Sequence, residues 1–262
     1  MLYGVFSDIH SNLEALTAVL EFFEKNNVEG YICCGDLVGY GPDPEPVLET
    51  IKGLKNLSAI RGNHDLAVLG LMDTQWFNTY ARAAVLWTRG VISFECKAFL
   101  ESLDVRLDAP DFTLAHGSPR RPAEEYLLTA AQFKENMSGV HVWPLFVGHS
   151  HMPLCLRADT GGEAAPVKSL RAEDAGVEYL ELEDGQEASV PKMPYGLAPT
   201  LFNPGSVGQP RDRDPRASCA LYDSEKKTFK IARLPYDIAA VQNKIRYAGL
   251  PEFLAVRLAY GQ

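Results

Sequence analysis

Leu2-Tyr3-Gly4-Val5-Phe6-Ser7-Asp8-Ile9-His10, Gly30-Tyr31-Ile32-Cys33-Cys34-Gly35-Asp36 and Ser58-Ala59-Ile60-Arg61-Gly62-Asn63-His64-Asp65 repeat one pattern, a short apolar run that ends in a polar cluster. Between the first two, Leu13, Leu16, Val19, Leu20 and Phe23 share one face of a helix; between the second and third, Val47, Leu48, Ile51 and Leu54 do the same. Strand–helix–strand–helix–strand implies right-handed crossovers and parallel pairing. The three polar clusters then lie side by side at the carboxyl edge of one sheet, where open α/β sheets hold their ligands.

Farther along, residues 75–103 have a helical texture, with Trp76, Tyr80 and Trp87 at core spacing. Residues 112–115 and 142–147 predict strands around a helix near 129–137, and short strands dominate from 153 to 234. Residues 157–199 hold Gly161-Gly162, Gly176, Pro191 and Pro194 without a period, consistent with an inserted hairpin or a loop. Residues 236–262 return to a helical pattern. With no linker or repeat, residues 1–262 are read as a single domain.

The chain is 46% hydrophobic and 23% charged over 262 residues, which excludes global disorder and a coiled coil. No apolar run reaches the ~18–20 residues of a membrane span, and no basic stretch precedes the acidic and polar N-terminal residues as in a secretory signal. The net charge of −9 argues against a partner tracked along its phosphate backbone, nucleic acid above all. Five cysteines, Cys33, Cys34, Cys96, Cys155 and Cys219, are odd in number and contain no C-x-x-C, so free thiols in a reducing cytoplasm are expected.

Five of the six histidines end predicted strands beside acidic or amide residues: His10, His64, His116, His149 and His151. In Asp8-x-His10 and His149-x-His151, residues two apart on an extended chain face the same side and can reach one ion. Mixed carboxylate, imidazole and amide donors suit Mn, Fe, Zn or Ni, whereas calcium takes oxygen alone. The ligands oversupply one ion, and two ions sharing a carboxylate fit the count.

Asp8-x-His10, Gly35-Asp36, Gly62-Asn63-His64-Asp65, His116-Gly117 and Gly148-His149-Ser150-His151, in this order, resemble the calcineurin-like metallophosphoesterase superfamily. More narrowly, Gly35 to Pro42 and Asn203 to Arg211 resemble its small bacterial phosphoesterases. The resemblance implies an α/β fold, a four-layer α/β/β/α sandwich of two mixed sheets flanked by helices. It implies two divalent or trivalent transition-metal ions, manganese first. Asp8, His10 and His151 would hold one, Asn63, His116 and His149 the other, with Asp36 bridging. It further implies hydrolysis of a small phosphodiester or phosphomonoester by a hydroxide shared between the ions, His64 lying off both metals and assisting the leaving group. Rival readings are a nuclease, a phosphoprotein or nucleotide phosphatase, and a protein-binding scaffold with a vestigial site. Gly39 and Tyr40 stand where the protein phosphatases and symmetrical tetraphosphatases of this superfamily carry an aspartate that orients the catalytic histidine and a phosphate-gripping arginine.

Asn12, Arg61 and Arg211 are the substrate-contact candidates, each with a structural alternative: a helix N-cap, a salt bridge and a solvated loop. Asp65 either orients His64 or caps the following helix, and Tyr40 either stacks on a leaving group or fills its loop. Arg120 and Arg121 form a small basic spot beside His116.

Overall fold

Alternation along the strands sorts the apolar side chains into layers. β1 (Leu2–Phe6), β2 (Gly30–Cys33) and β3 (Leu57–Ala59) pair in parallel, and β13 (Ala217–Asp223), β14 (Thr228–Leu234) and β9 (Glu187–Ser189) extend the sheet antiparallel from β1. The second sheet runs β4 (Arg106–Asp108), β5 (Thr113–Ala115), β6 (Leu145–Phe146), β12 (Thr200–Pro204), β7 (Pro153–Ala158) and β8 (Val177–Glu181). Its central strands β5, β6 and β12 are parallel and its outer ones antiparallel, so both sheets are mixed. In this computed structural model residues 1–158, 176–194 and 196–262 are described.

Val5 and Ile32 of the first sheet share one cluster with Phe146, Cys155 and Phe202 of the second, so these side chains fill the space between the sheets. The Phe202 and Phe229 rings stack there with centroids 4.4 Å apart. Burial of each such ring contributes roughly 1.5–3 kcal/mol. The next residues along the strands, Phe6 and Cys33, turn outward under α1 (Leu13–Lys25) and α2 (Pro44–Lys52). On the far side, Leu145, Leu154 and Leu201 pack against α6 (Ala130–Met137) through Phe133. The four layers expected from the sequence are thus present as helices, sheet, sheet and helix.

α3 (Asn63–Leu69), α4 (Thr79–Val91) and α5 (Phe94–Ser102) follow β3, and α7 (Ile238–Tyr247) and α8 (Glu252–Val256) close the chain. The expected helical stretch at 75–103 is divided, because the Ser93 hydroxyl caps α5 and ends α4 just before it. Trp87 packs on the α7–α8 cluster as expected, whereas the core assignment of Trp76 and Tyr80 is corrected. Trp76 sits on a 3₁₀ turn, Thr74–Trp76, that breaks the helical register and leaves it 91% exposed; Tyr80 is 43% exposed. Of the expected insertion at 157–199, residues 159–175 and 195 lie outside the described residues. The rest supplies β8, β9 and a small antiparallel pair, β10 (Lys192–Met193) with β11 (Gly196–Leu197). All five cysteines are free and buried. Among the described residues no helix is long and apolar enough to cross a membrane.

Candidate functional site

The loops that leave β1 and β2 are bound to each other: Asp8, His10 and Ser11 donate their N–H groups to the carbonyls of Gly35, Asp36 and Leu37 at 3.0, 3.1 and 3.0 Å. Asp8, His10, Asp36, His149 and His151 all have φ between +49° and +64°. Non-glycine residues rarely occupy this left-handed region, and when they do at a functional site the surrounding contacts enforce it. The expected route to convergence is therefore corrected. β1 ends at Phe6 and β6 at Phe146, so the Asp-x-His and His-x-His pairs meet through left-handed loops rather than through a strand pleat. Gly62 leaves room for the Asp36 carboxylate, since a Cβ there would collide with Asp36 Oδ1.

Three imidazoles are locked in the same tautomer. His10, His116 and His151 each present Nδ1 to a backbone carbonyl, of Val38 at 3.1 Å, Cys34 at 2.8 Å and Gln209 at 2.6 Å. A carbonyl only accepts, so Nδ1 carries the hydrogen and Nε2 faces the site. His10 Nε2 and His151 Nε2 are 3.2 Å apart, and Asp8 Oδ1 lies 3.9 and 3.3 Å from them. Asp36 Oδ2 is 3.7 Å from His10 Nε2 and 3.2 Å from His116 Nε2, while Asn63 Oδ1 is 3.1 Å from the latter. Asp8-His10-His151 and Asp36-His116-His149 each bring their ligand atoms within 4.8 Å of one another. The backbone N–H of His149 donates to Asp8, and that of His64 to Asp36 Oδ1 at 2.8 Å.

Burial of these groups dominates the electrostatics. It pushes Asp8 up to about 7 and lowers His10 and His151 well below the usual imidazole range; it takes His149 down to about 3. Burial also acts against the charge of Asp36, yet the His116, His64 and His10 rings around it hold that carboxyl well below the carboxylate range. His116, likewise penalised by burial, is raised to about 9 by Asp36 and its other oxygen neighbours. Two inward Nε2 lone pairs at 3.2 Å, ringed by buried carboxylates, lack any donor between them. That donor set fits a cation: the arrangement is satisfied by positive charge and by little else.

Asn63 and His64 stand in the first turn of α3, not in a strand end. Asp65 accepts from the N–H groups of Leu37, Val38 and Gly62 at 3.2, 3.0 and 2.9 Å, so it caps α3 and fastens it to the β2 loop rather than orienting His64. The His64 ring packs on Tyr40, His10 and Phe77, with its buried Nδ1 unpartnered and its pKa lowered by burial to about 4. A Cβ at Gly39, where φ is +91°, would lie 2.6 Å from that nitrogen, so no side chain can orient the ring from there without displacing it.

Above the metal-binding candidates opens a cleft of about 550 Å³. Arg211 lines it, its Nη2 donating to Gln209 Oε1 at 3.0 Å and Tyr40 Oη at 3.3 Å. The other substrate-contact candidates have partners within the protein. Asn12 is buried and caps α1, accepting from Ala15 and donating to the Gly208 carbonyl; Arg61 is drawn to the carbonyls of Leu100 and Glu101. Tyr40 is buried against two histidines, and Arg120 and Arg121 are paired with Glu125, Glu135 and Glu124. Tyr126, stacked on His149 with centroids 4.0 Å apart, was not singled out from the sequence; a lone tyrosine in a polar loop carries no signal until the loop is placed.

A model of the calcineurin-like phosphoesterase superfamily domain matches residues 1–227. A protein of Methanocaldococcus jannaschii is 36% identical over the whole chain and 98% of its own length. The crystal structure of a metallophosphoesterase from Sphaerobacter thermophilus is similar with a TM-score of 0.83 at 37% identity, covering 100% of this chain and 99% of the other. A Pyrococcus horikoshii protein shares the fold at 23% identity with a TM-score of 0.77, covering 100% and 98%.

Proposed function

The chain belongs to the calcineurin-like phosphoesterase superfamily, and from that premise we propose that it is a two-metal hydrolase of small phosphodiesters or phosphomonoesters. Asp8, His10 and His151 would hold one ion, Asn63, His116 and His149 the other, with Asp36 available to both. The observation that carries this reading is one oxygen atom: Asp36 Oδ2 faces His10 Nε2 on one side and His116 Nε2 on the other. The mixed oxygen and nitrogen donors suit manganese, iron, zinc or nickel alike, and the resemblance to the superfamily puts manganese first. Two ions there would neutralise charge on the phosphoryl oxygens and acidify water.

The chain's own groups do the rest. Arg211, steadied by Gln209 and Tyr40, offers a guanidinium to a phosphoryl oxygen. His64 lines the cleft and assists the departing oxygen; lacking an orienting carboxylate, its ring is held by packing alone, and as a neutral imidazole it hydrogen-bonds the leaving group through its N–H. Ligands come from both sheets, which supports treating residues 1–262 as one domain, and the five free thiols support a reducing, cytoplasmic setting.

The test pairs metal analysis with hydrolysis of bis-(p-nitrophenyl) phosphate and p-nitrophenyl phosphate in added Mn²⁺. Two bound equivalents and turnover that chelator removes are expected. One equivalent, or hydrolysis indifferent to chelator, sinks the two-metal assignment.

A further inference from the structure

The cleft is larger than a phosphoryl group needs and lies within the size range of small-molecule sites, roughly 300–1,000 Å³. Two of its lining residues are exposed aromatics. Trp76 is 91% exposed and Tyr126 42% exposed, and both line it, one from the turn between α3 and α4, the other from the loop after β5. Tryptophan is usually largely buried, so an indole turned into a cleft is a cost that needs a compensating contact.

Neither ring is carried on a loose segment. Asp73 caps the Trp76 turn by accepting from the Gln75 N–H at 2.9 Å, and the adjoining Phe77 packs on His64 with centroids 4.9 Å apart. Tyr126 rests on His149 and is flanked by Glu125, which accepts from Ser118, Arg120 and Asn136, and by buried Leu127. The remaining charges at the mouth are Asp73, Glu124 and the Arg121 that Glu124 pairs. With a net charge of −9, they suit a neutral appendage with N–H or O–H donors better than a further phosphate chain.

We infer that this enzyme takes phosphate esters bearing a flat aromatic group of nucleobase size, bound against Trp76 and Tyr126 while the phosphoryl group sits at the Asp36 floor. The inference deepens the proposed phosphoesterase reading and rests on it. Stacking on an aromatic side chain raises affinity by about tenfold or more, and an indole is the best platform a protein offers because its face is large and rigid.

The test uses non-hydrolysable phosphonates and calorimetric titration of the manganese-loaded protein: methylphosphonate, benzylphosphonate, and the ribose and adenosine phosphonates with methylene in place of the ester oxygen. We expect the adenosine compound to bind about tenfold or more tighter than the ribose compound and to quench tryptophan emission. Trp76→Ala should collapse the ratio of the two affinities, and Trp76→Phe should restore most of it. Benzylphosphonate matching adenosine phosphonate makes the subsite one for any flat ring; a further gain with adenosine assigns it to nucleosides. Equal binding of the ribose and adenosine compounds overturns the inference while leaving the phosphoesterase reading intact, as does a ratio that survives the Trp76→Ala, Tyr126→Ala double variant. Failure of all four to bind overturns both.

Discussion

The floor of the cleft and its walls are built on opposite principles. At the floor every proposed ligand side chain but the half-buried Asn63 is nearly inaccessible, most of them anchored through a second atom to the main chain, and five of the proposed ligands have backbone conformations that most residues avoid. On the walls, Trp76 projects into open space and Tyr126 leaves part of its ring exposed above His149, both carried on connections between elements. A site that must hold mutually repelling lone pairs needs enforced geometry, whereas one that recognises a substituent needs accessible area. The two regions should therefore respond differently to substitution: the floor by loss of function outright, the walls by changes in which substrate is preferred.

The sharpest way to break this contrast is at Asp36. Asp36→Asn removes the anion that faces both imidazole groups while keeping its shape, and it should abolish metal binding and turnover together, as measured by metal analysis and bis-(p-nitrophenyl) phosphate hydrolysis. A variant that still binds two equivalents means the bridge lies elsewhere. Next in size is His64→Ala. The ring holds no backbone anchor and is not among the proposed ligands, so metal content should persist while kcat falls by ~10²–10⁴. Loss of metal instead would make His64 part of the ion-binding set, in keeping with the proximity of its ring to His10 and Asp36.

How much of this was legible beforehand follows the same division. The floor's residue types announce themselves, because buried carboxylates and imidazoles at strand ends have few structural explanations, and the parallel β1-β2-β3 order follows from two short crossovers. What brings Asp8 and His10 together does not follow: pleat geometry predicts convergence, but left-handed φ values produce it, enforced by the pairing of the loops after β1 and β2. Asp65 was ambiguous for a related reason, since its three acceptor contacts include Leu37 and Val38, neighbours only in the fold. On the walls the residue spacing points the wrong way. Trp76 and Tyr80 have core spacing, and only the 3₁₀ turn that disrupts the register turns Trp76 outward.

Arg211 bridges the two regions and refines the comparison. It comes from the connection between β12 and β13, and no carboxylate among the described residues is within salt-bridge distance of it; its Nε is buried without a partner. Arg211→Ala should raise KM by ~10–100-fold, the worth of a hydrogen bond to a charged group, with a smaller change in kcat. An unchanged KM for both nitrophenyl substrates would falsify a substrate contact.

The smallest expected effect tests how Arg211 is held. Tyr40 Oη accepts from Arg211 Nη2 at 3.3 Å, and the guanidinium carbon lies 5.8 Å from the ring centroid, so the tyrosine offers both an acceptor and a face. Tyr40 is itself immobilised by His10 and His64 on one side and by the α7–α8 cluster, through Val241 and Leu254, on the other. Tyr40→Phe deletes the acceptor but keeps the packing. A single hydrogen bond with a net worth near 1 kcal/mol then gives a few-fold rise in KM, with kcat and metal content unchanged. Tyr40→Ala also removes the surface on which His64 rests, so kcat should fall as well. If the phenylalanine variant loses kcat rather than KM, the hydroxyl serves His64 and not Arg211, and the division between a rigid floor and a recognising wall runs through the wrong residue.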